Sequence, residues 1–113
     1  MPIKSIIVDD EKDARDSLTK MLENFFHEEI EVKAALKSVK EAVKAINEYK
    51  PELVFLDIEM PNQNGFSLFD YFPEEYGFEV IFVTAYNQYA LKAIQTAALD
   101  YILKPINPEE LER

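Results

Sequence analysis

The sequence predicts an α/β protein, a single domain built on one doubly wound, five-stranded parallel sheet. Three observations carry this. Short runs rich in Val, Ile, Leu and Phe recur along the chain, as in Ile3–Val8 and Leu53–Leu56. Between them lie longer segments whose apolar residues repeat at helical spacing. The strand–helix pair occurs five times, with no linker, internal repeat or low-complexity stretch. Short buried strands alternating with helices imply a parallel sheet covered on both faces, joined by right-handed crossovers.

The elements follow in order. Ile3–Val8 is a β-branched run cut off by Asp9, Asp10 and Glu11. Ala14, Leu18, Met21, Leu22 and Phe25 then mark an amphipathic helix over about residues 11–26. Acids at its start suit the positive end of the helix dipole. Ile30–Leu36 alternates weakly and reads as the second strand. Val39, Ala42, Val43 and Ile46 form the second helical stripe, which ends before Pro51. Leu53–Leu56 is the third strand. Residues 61–65, PNQNG, are a loop by composition. Phe66, Leu68, Phe69 and Phe72 suggest a short third helix, stopped near Pro73 and Gly77. Residues 80–83 form a fourth strand ending at Thr84. Ala90, Ala93, Ile94 and Ala97 give a fourth helix a narrow small-residue face. Residues 99–103 are the fifth strand, ending at Lys104-Pro105. A fifth helix begins with Asn107 as N-cap and Pro108 at its first position, and the sequence stops within its first turns.

Composition narrows the function classes. The chain has 113 residues, of which 48% are apolar, enough for a real core. Its net charge of −10 repels nucleic-acid phosphates and anionic lipid, so this segment is not expected to bind DNA itself. There is no cysteine, which excludes thiolate catalysis and cysteine metal sites. The lone His27 excludes a multi-histidine metal site and reads as a solvated residue near a helix end. No apolar run approaches the length of a membrane span, and the N-terminus lacks the apolar core of a signal peptide, so a soluble cytoplasmic protein is expected.

The chemistry lies just past the strands. All loops after parallel strands fall on one edge of the sheet, where open α/β sheets form their sites. The first strand delivers Asp9, Asp10 and Glu11. The third delivers Asp57 and Glu59, the fourth Thr84 and the fifth Lys104. Each has an ordinary explanation by itself: Asp-Asp-Glu as a helix start, Lys-Pro as a turn. Four strands each sending a suitable group to one edge is harder to explain by accident. If the first and third strands are neighbours, Asp9, Asp10 and Asp57 converge, and their repulsion calls for a hard divalent cation such as Mg²⁺. With a lysine and a hydroxyl alongside, such a site suits phosphoryl transfer to an aspartate.

These residues also carry a resemblance. VDDE at 8–11, DIEMPNQNG at 57–65, FVTAY at 82–86 and ALDYILKPI at 98–106 resemble the receiver domain of two-component response regulators, across nearly the whole chain. The stretch TAYNQYALKAIQTAALDYILKPI is most similar to LytTR-type regulators, in which a receiver precedes a DNA-binding domain. The resemblance implies a flavodoxin-like fold with strand order 2-1-3-4-5. It implies Asp57 as the phosphoacceptor. Mg²⁺ would be held by Asp10 directly, Asp9 through water, Asp57, and the backbone carbonyl of Glu59. Thr84 would bond the phosphoryl group, Lys104 would pair with a phosphoryl oxygen, and Tyr101 would turn inward when Thr84 moves. A cis bond is implied before Pro105, and Glu59 and Tyr86 would flank the site. The implied partner is a sensor histidine kinase. Relatives dimerise through the face of helix four, strand five and helix five, and contact DNA only through a downstream domain.

Two departures stand out. Ala97 occupies a position where relatives often have Gly or Asn, and helix five is truncated, so the chain is expected to be a piece of a longer protein. The expected function is a phosphorylation switch that modifies its own Asp57, not a turnover enzyme. The alternative is a stand-alone or phosphate-independent docking module of the same fold, which retention of every acid, Thr84 and Lys104 disfavours. A Mg²⁺-dependent phosphatase would pair two acids and follow them with a threonine, whereas Met60-Pro61 follows Glu59 here. A flavin phosphate would be repelled by Asp9, Asp10 and Glu11.

Overall fold

The structure, a computed structural model, describes residues 2–60, 64–72, 77–85 and 100–104, with backbone alone at Asp100 and Tyr101. The expected helices four and five, Tyr86, Ala97 and Pro105 lie outside the described residues.

Five strands form one parallel sheet in the order β2-β1-β3-β4-β5. They are β1 (Ile3–Val8), β2 (Ile30–Leu36), β3 (Leu53–Leu56), β4 (Glu79–Thr84) and β5 (Asp100–Leu103). Helix α1 (Lys12–Phe25) joins β1 to β2, and α2 (Val39–Tyr49) joins β2 to β3. Alternate residues of β1, β3 and β4 feed opposite cores, as the pleat requires. Ile6, Val8, Val54, Leu56, Val80 and Phe82 pack with α2 on one face. Ile7, Leu53, Phe55 and Val83 pack with α1 on the other, against Leu18, Leu22 and Phe26. Helices on both faces make the sheet doubly wound, as the apolar runs imply.

The strand boundaries fall within a residue of those expected, and three details differ. Helix α1 begins at Lys12, with Glu11 as its N-cap. Phe25 is 62% exposed while Phe26 is 7% exposed, so the apolar stripe does not end where its spacing predicts. The reason is the helix terminus: Phe26 leaves helical backbone at φ −133°, and this turns its ring into the α1 core. The third helix is a 3₁₀ helix, Gly65–Tyr71, capped by the Asn64 side chain, which accepts from Phe66 N–H. A period of three places Phe66, Phe69 and Phe72 in one row. Phe66 and Phe69 meet Phe82 at centroid distances of 4.8 and 6.3 Å, and Phe72 meets Phe78 at 5.6 Å.

This order sends the chain outward in opposite directions from the β1–β3 pair. That reversal opens a crevice beyond the carboxyl ends of β1 and β3, the place where such sheets bind ligands. Asp9 and Asp57 are the first residues past those two ends.

Candidate functional site

The main chain sets the positions of the acids. The Asp57 N–H donates to the Val8 carbonyl at 2.9 Å, and the Asp9 N–H to the Leu36 carbonyl at 2.9 Å. Each bond extends a strand ladder by one step, so each carboxylate starts from the rigid edge of the sheet. The Lys104 N–H donates to the Thr84 carbonyl at 2.8 Å and fixes the other wall in the same way.

Asp9, Asp10 and Asp57 converge: one carboxylate oxygen from each lies within 4.8 Å of the other two. Asp9 and Asp57 are buried, and Asp10 is half-buried. Asp9 Oδ1 accepts from the Glu11 N–H at 3.0 Å, a local turn that leads into α1. Asp57 Oδ1 accepts from the Ile58 N–H at 2.8 Å. The Asp10 carboxylate has no partner among the described residues. Three oxygen donors this close, one of them uncommitted, fit a hard divalent cation.

Lys104 is the resident counter-charge. Its Nζ lies 2.7 Å from Asp9 Oδ2, 3.5 Å from Asp57 Oδ2 and 3.8 Å from Glu11 Oε1. The sequence aims this lysine at Asp57, but its shortest contact is with Asp9. The ammonium settles between the two buried acids, where it offsets both. Burial works to lower the Lys104 pKa. The hydrogen bond to Asp9 and the charges of Asp57, Asp9 and Glu11 outweigh that, and the lysine is held protonated above its ordinary range.

Asp57 is pushed up to about 6. Burial is the main cause, and repulsion from Asp9 adds to it. Lys104, the Ile58 N–H and the Thr84 hydroxyl pull the other way and do not win. The apolar surroundings are plain: a cavity of about 570 Å³ borders Asp9, Asp57 and Lys104 and is walled by Ile7, Leu18, Met21, Phe55 and Val83. Thr84 is fully buried and hydrogen-bonds the Asp57 carboxylate.

The structure therefore brings together Asp9, Asp10, Asp57, Thr84 and Lys104. Glu59 is exposed two residues beyond Asp57. Tyr101 lies on β5 opposite Phe82, with its side chain outside the description, as is Pro105. Two contributors escape sequence reasoning. Gly65 N–H donates to the Ile58 carbonyl at 2.6 Å, and a Cβ added at Gly65 would stand 2.1 Å from the Asp57 carbonyl oxygen. Only glycine lets the loop lie against the Asp57 backbone so closely. The signal was its rarity, since the chain has two glycines. Arg15 is the other: its Nη1 donates to the Asp9 carbonyl at 2.8 Å.

Comparisons with known proteins agree with this geometry. The model of the response regulator receiver domain matches residues 6–113. An uncharacterized response regulatory protein of Vibrio cholerae is 41% identical over 111 residues, 98% of this chain and 46% of that protein. The transcriptional regulatory protein BtsR of Salmonella typhi is 37% identical, with the same two coverages. The chain thus spans under half the length of these curated relatives. Among solved structures, the response regulatory domain of mrkE from Klebsiella pneumoniae superposes with a TM-score of 0.85 at 27% identity, over 96% of this chain and 88% of that one. With a match over nearly the whole sequence, a sheet in the order 2-1-3-4-5 and acids gathered at its crevice, the chain belongs to the response regulator receiver domain family.

Proposed function

We propose that this chain is a phosphorylation-dependent signalling switch, in which Asp57 accepts a phosphoryl group from a sensor histidine kinase. One observation carries the reading: Asp9, Asp10 and Asp57 gather within 4.8 Å, with the Lys104 ammonium 3.5 Å from Asp57. Asp9, Asp10, Asp57 and the Glu59 backbone carbonyl are the groups that would hold Mg²⁺. Bound there, the ion would offset the acids and stabilise charge on the phosphoryl oxygens.

The residues of the chain do the rest. Asp57 is ionised above about 6 and so supplies a carboxylate nucleophile near neutral pH. A carboxylate lone pair forms the new O–P bond. The P–N bond to the donor histidine breaks, and its electron pair returns to the imidazole, leaving an acyl phosphate on Asp57. Lys104, already protonated and in reach, follows the phosphoryl oxygens. Thr84, already bonded to Asp57, donates to one of them. The shift of Thr84 vacates space for Tyr101, and this alters the face of helix four, strand five and helix five, through which a homodimer forms. Output is transcriptional, through a DNA-binding domain of the LytTR type following the receiver, in the cytoplasm. BtsR, a transcriptional regulatory protein, is consistent with that output. Among the described residues no helix is long and apolar enough to cross a membrane. The chain transfers phosphate to and from itself and turns over no external substrate.

The test is incubation with phosphoramidate and Mg²⁺, followed by intact mass. The wild-type chain gains one phosphoryl mass, and Asp57→Asn gains none. Full labelling of Asp57→Asn would sink the assignment.

A further inference from the structure

Asp9 is held at four points. Its N–H reaches Leu36, its Oδ1 takes the Glu11 N–H and its Oδ2 takes Lys104. The fourth bond comes from elsewhere: Arg15 reaches back from α1 and donates Nη1 to the Asp9 carbonyl at 2.8 Å. That carbonyl belongs to the peptide joining Asp9 to Asp10. Because the peptide is planar and the Asp9 N–H is already tied to Leu36, restraining its oxygen limits the movement of both Cα atoms. Asp10 gains most, since its own carboxylate has no partner among the described residues.

The placement of Arg15 is unfavourable by local rules. It is the fourth residue of α1, and its N–H still bonds the N-cap carbonyl of Glu11. A cation there faces the positive end of the helix dipole. A residue that breaks a local rule and is half-buried points to a contact made elsewhere, and here the contact is with the acid cluster.

We infer that Arg15 is a positioning residue: it holds the Asp9–Asp10 peptide so that both carboxylates face a divalent cation bound between them and Asp57. Arg15 touches neither the cation nor the phosphoryl group and acts only through this peptide. The inference rests on the metal-assisted reading above. Groups that orient metal ligands commonly change metal affinity about tenfold or more when removed.

The experiment compares the wild-type chain with Arg15→Met, Arg15→Gln and Arg15→Lys. Met and Gln are good helix formers, so α1 persists in both. Mg²⁺ is titrated by amide NMR shifts, and melting temperature is measured with and without Mg²⁺. Labelling by phosphoramidate is followed as Mg²⁺ is raised. Arg15→Met and Arg15→Gln are expected to weaken Mg²⁺ binding about tenfold. They should shrink the Mg²⁺-dependent rise in melting temperature, and label at near wild-type rate once Mg²⁺ saturates. Arg15→Lys, which keeps one donor, regains part of the affinity. A Mg²⁺ affinity unchanged in both Arg15→Met and Arg15→Gln overturns the inference, whatever happens to the metal-free melting temperature. If the wild-type chain itself neither binds Mg²⁺ nor labels, the proposed function falls, and the inference falls with it. Wild-type labelling beside unchanged variants overturns the inference alone.

Discussion

Replacing Asp57 by Asn should stabilise the metal-free fold, although it removes the central residue of the site. The Asp57 carboxyl titrates at 3.8 when solvated and is pushed up to about 6 in the fold. Between those values the folded chain holds a proton that the unfolded chain has released. Stability therefore falls as pH rises through this window, and the penalty is complete above about 6. Two pK units at 1.36 kcal/mol each amount to about 3 kcal/mol. Asn is always neutral and escapes the penalty, which is already net of the attraction of Lys104 3.5 Å away; it loses only the finer fit of a carboxylate to its hydrogen-bond donors. A net gain of about 1–3 kcal/mol remains, or several degrees in melting temperature for a domain this size. The assay is urea unfolding of both proteins in chelator, at neutral pH and again near 3.8. The gain should be present at neutral pH and absent at the acid end. Adding Mg²⁺ should narrow it by stabilising the wild type through mass action. An Asn variant less stable than wild type in chelator at neutral pH, or a difference that ignores pH, would refute the reasoning.

Two further substitutions test the walls of the site. Gly65→Ala places a Cβ 2.1 Å from the Asp57 carbonyl oxygen, a backbone atom that cannot rotate away. Urea unfolding should show a loss of about 1–3 kcal/mol, typical of overpacking, and labelling by phosphoramidate should slow. Lys104→Met leaves Asp9 and Asp57 facing each other without their shared cation. Breaking a fully buried pair costs about 3–5 kcal/mol, and with Lys104 one-fifth exposed about 1–3 kcal/mol is expected in chelator, partly recovered by Mg²⁺.

What could be read from the sequence was set by periodicity and by position. The strands were legible because Ile3–Val8 and Leu53–Leu56 serve both cores, so they lack a polar face. The acids were legible because a strand that ends in a carboxylate delivers it to a known edge. The remainder depends on distances that no spacing encodes. Phe25 and Phe26 are equivalent as residue types, and only the end of α1 decides which is buried. The row at Phe66, Phe69 and Phe72 has the period of a 3₁₀ helix, but over so short a stretch it cannot be told from an α-helical stripe. The choice of Lys104 between Asp9 and Asp57 is an electrostatic balance within an ångström. Arg15 looks like one more surface charge on an amphipathic helix until its reach to the Asp9 carbonyl is seen.

The bonding pattern also limits how a switch here can work. Asp9, Asp57 and Lys104 each hang from a neighbouring strand by a main-chain hydrogen bond, to Leu36, Val8 and Thr84. Those bonds continue the sheet ladder, whose core strands belong to the most stable part of a fold. A phosphoryl group on Asp57 therefore cannot do its work by moving the strands apart. What can move is attached to the ladder but not part of it: the Lys104 ammonium, now shared between Asp9 and Asp57, and the Thr84 hydroxyl, now turned to the Asp57 carboxylate. New anionic oxygens would draw both. Thr84 is fully buried, so any space it leaves must be refilled. Its carbonyl is bonded to the Lys104 N–H, which ties the end of β4 to the end of β5. Under the proposed phosphorylation of Asp57, the local charge change would be converted into repacking beside β5, while the backbone that positions the acids would stay in place.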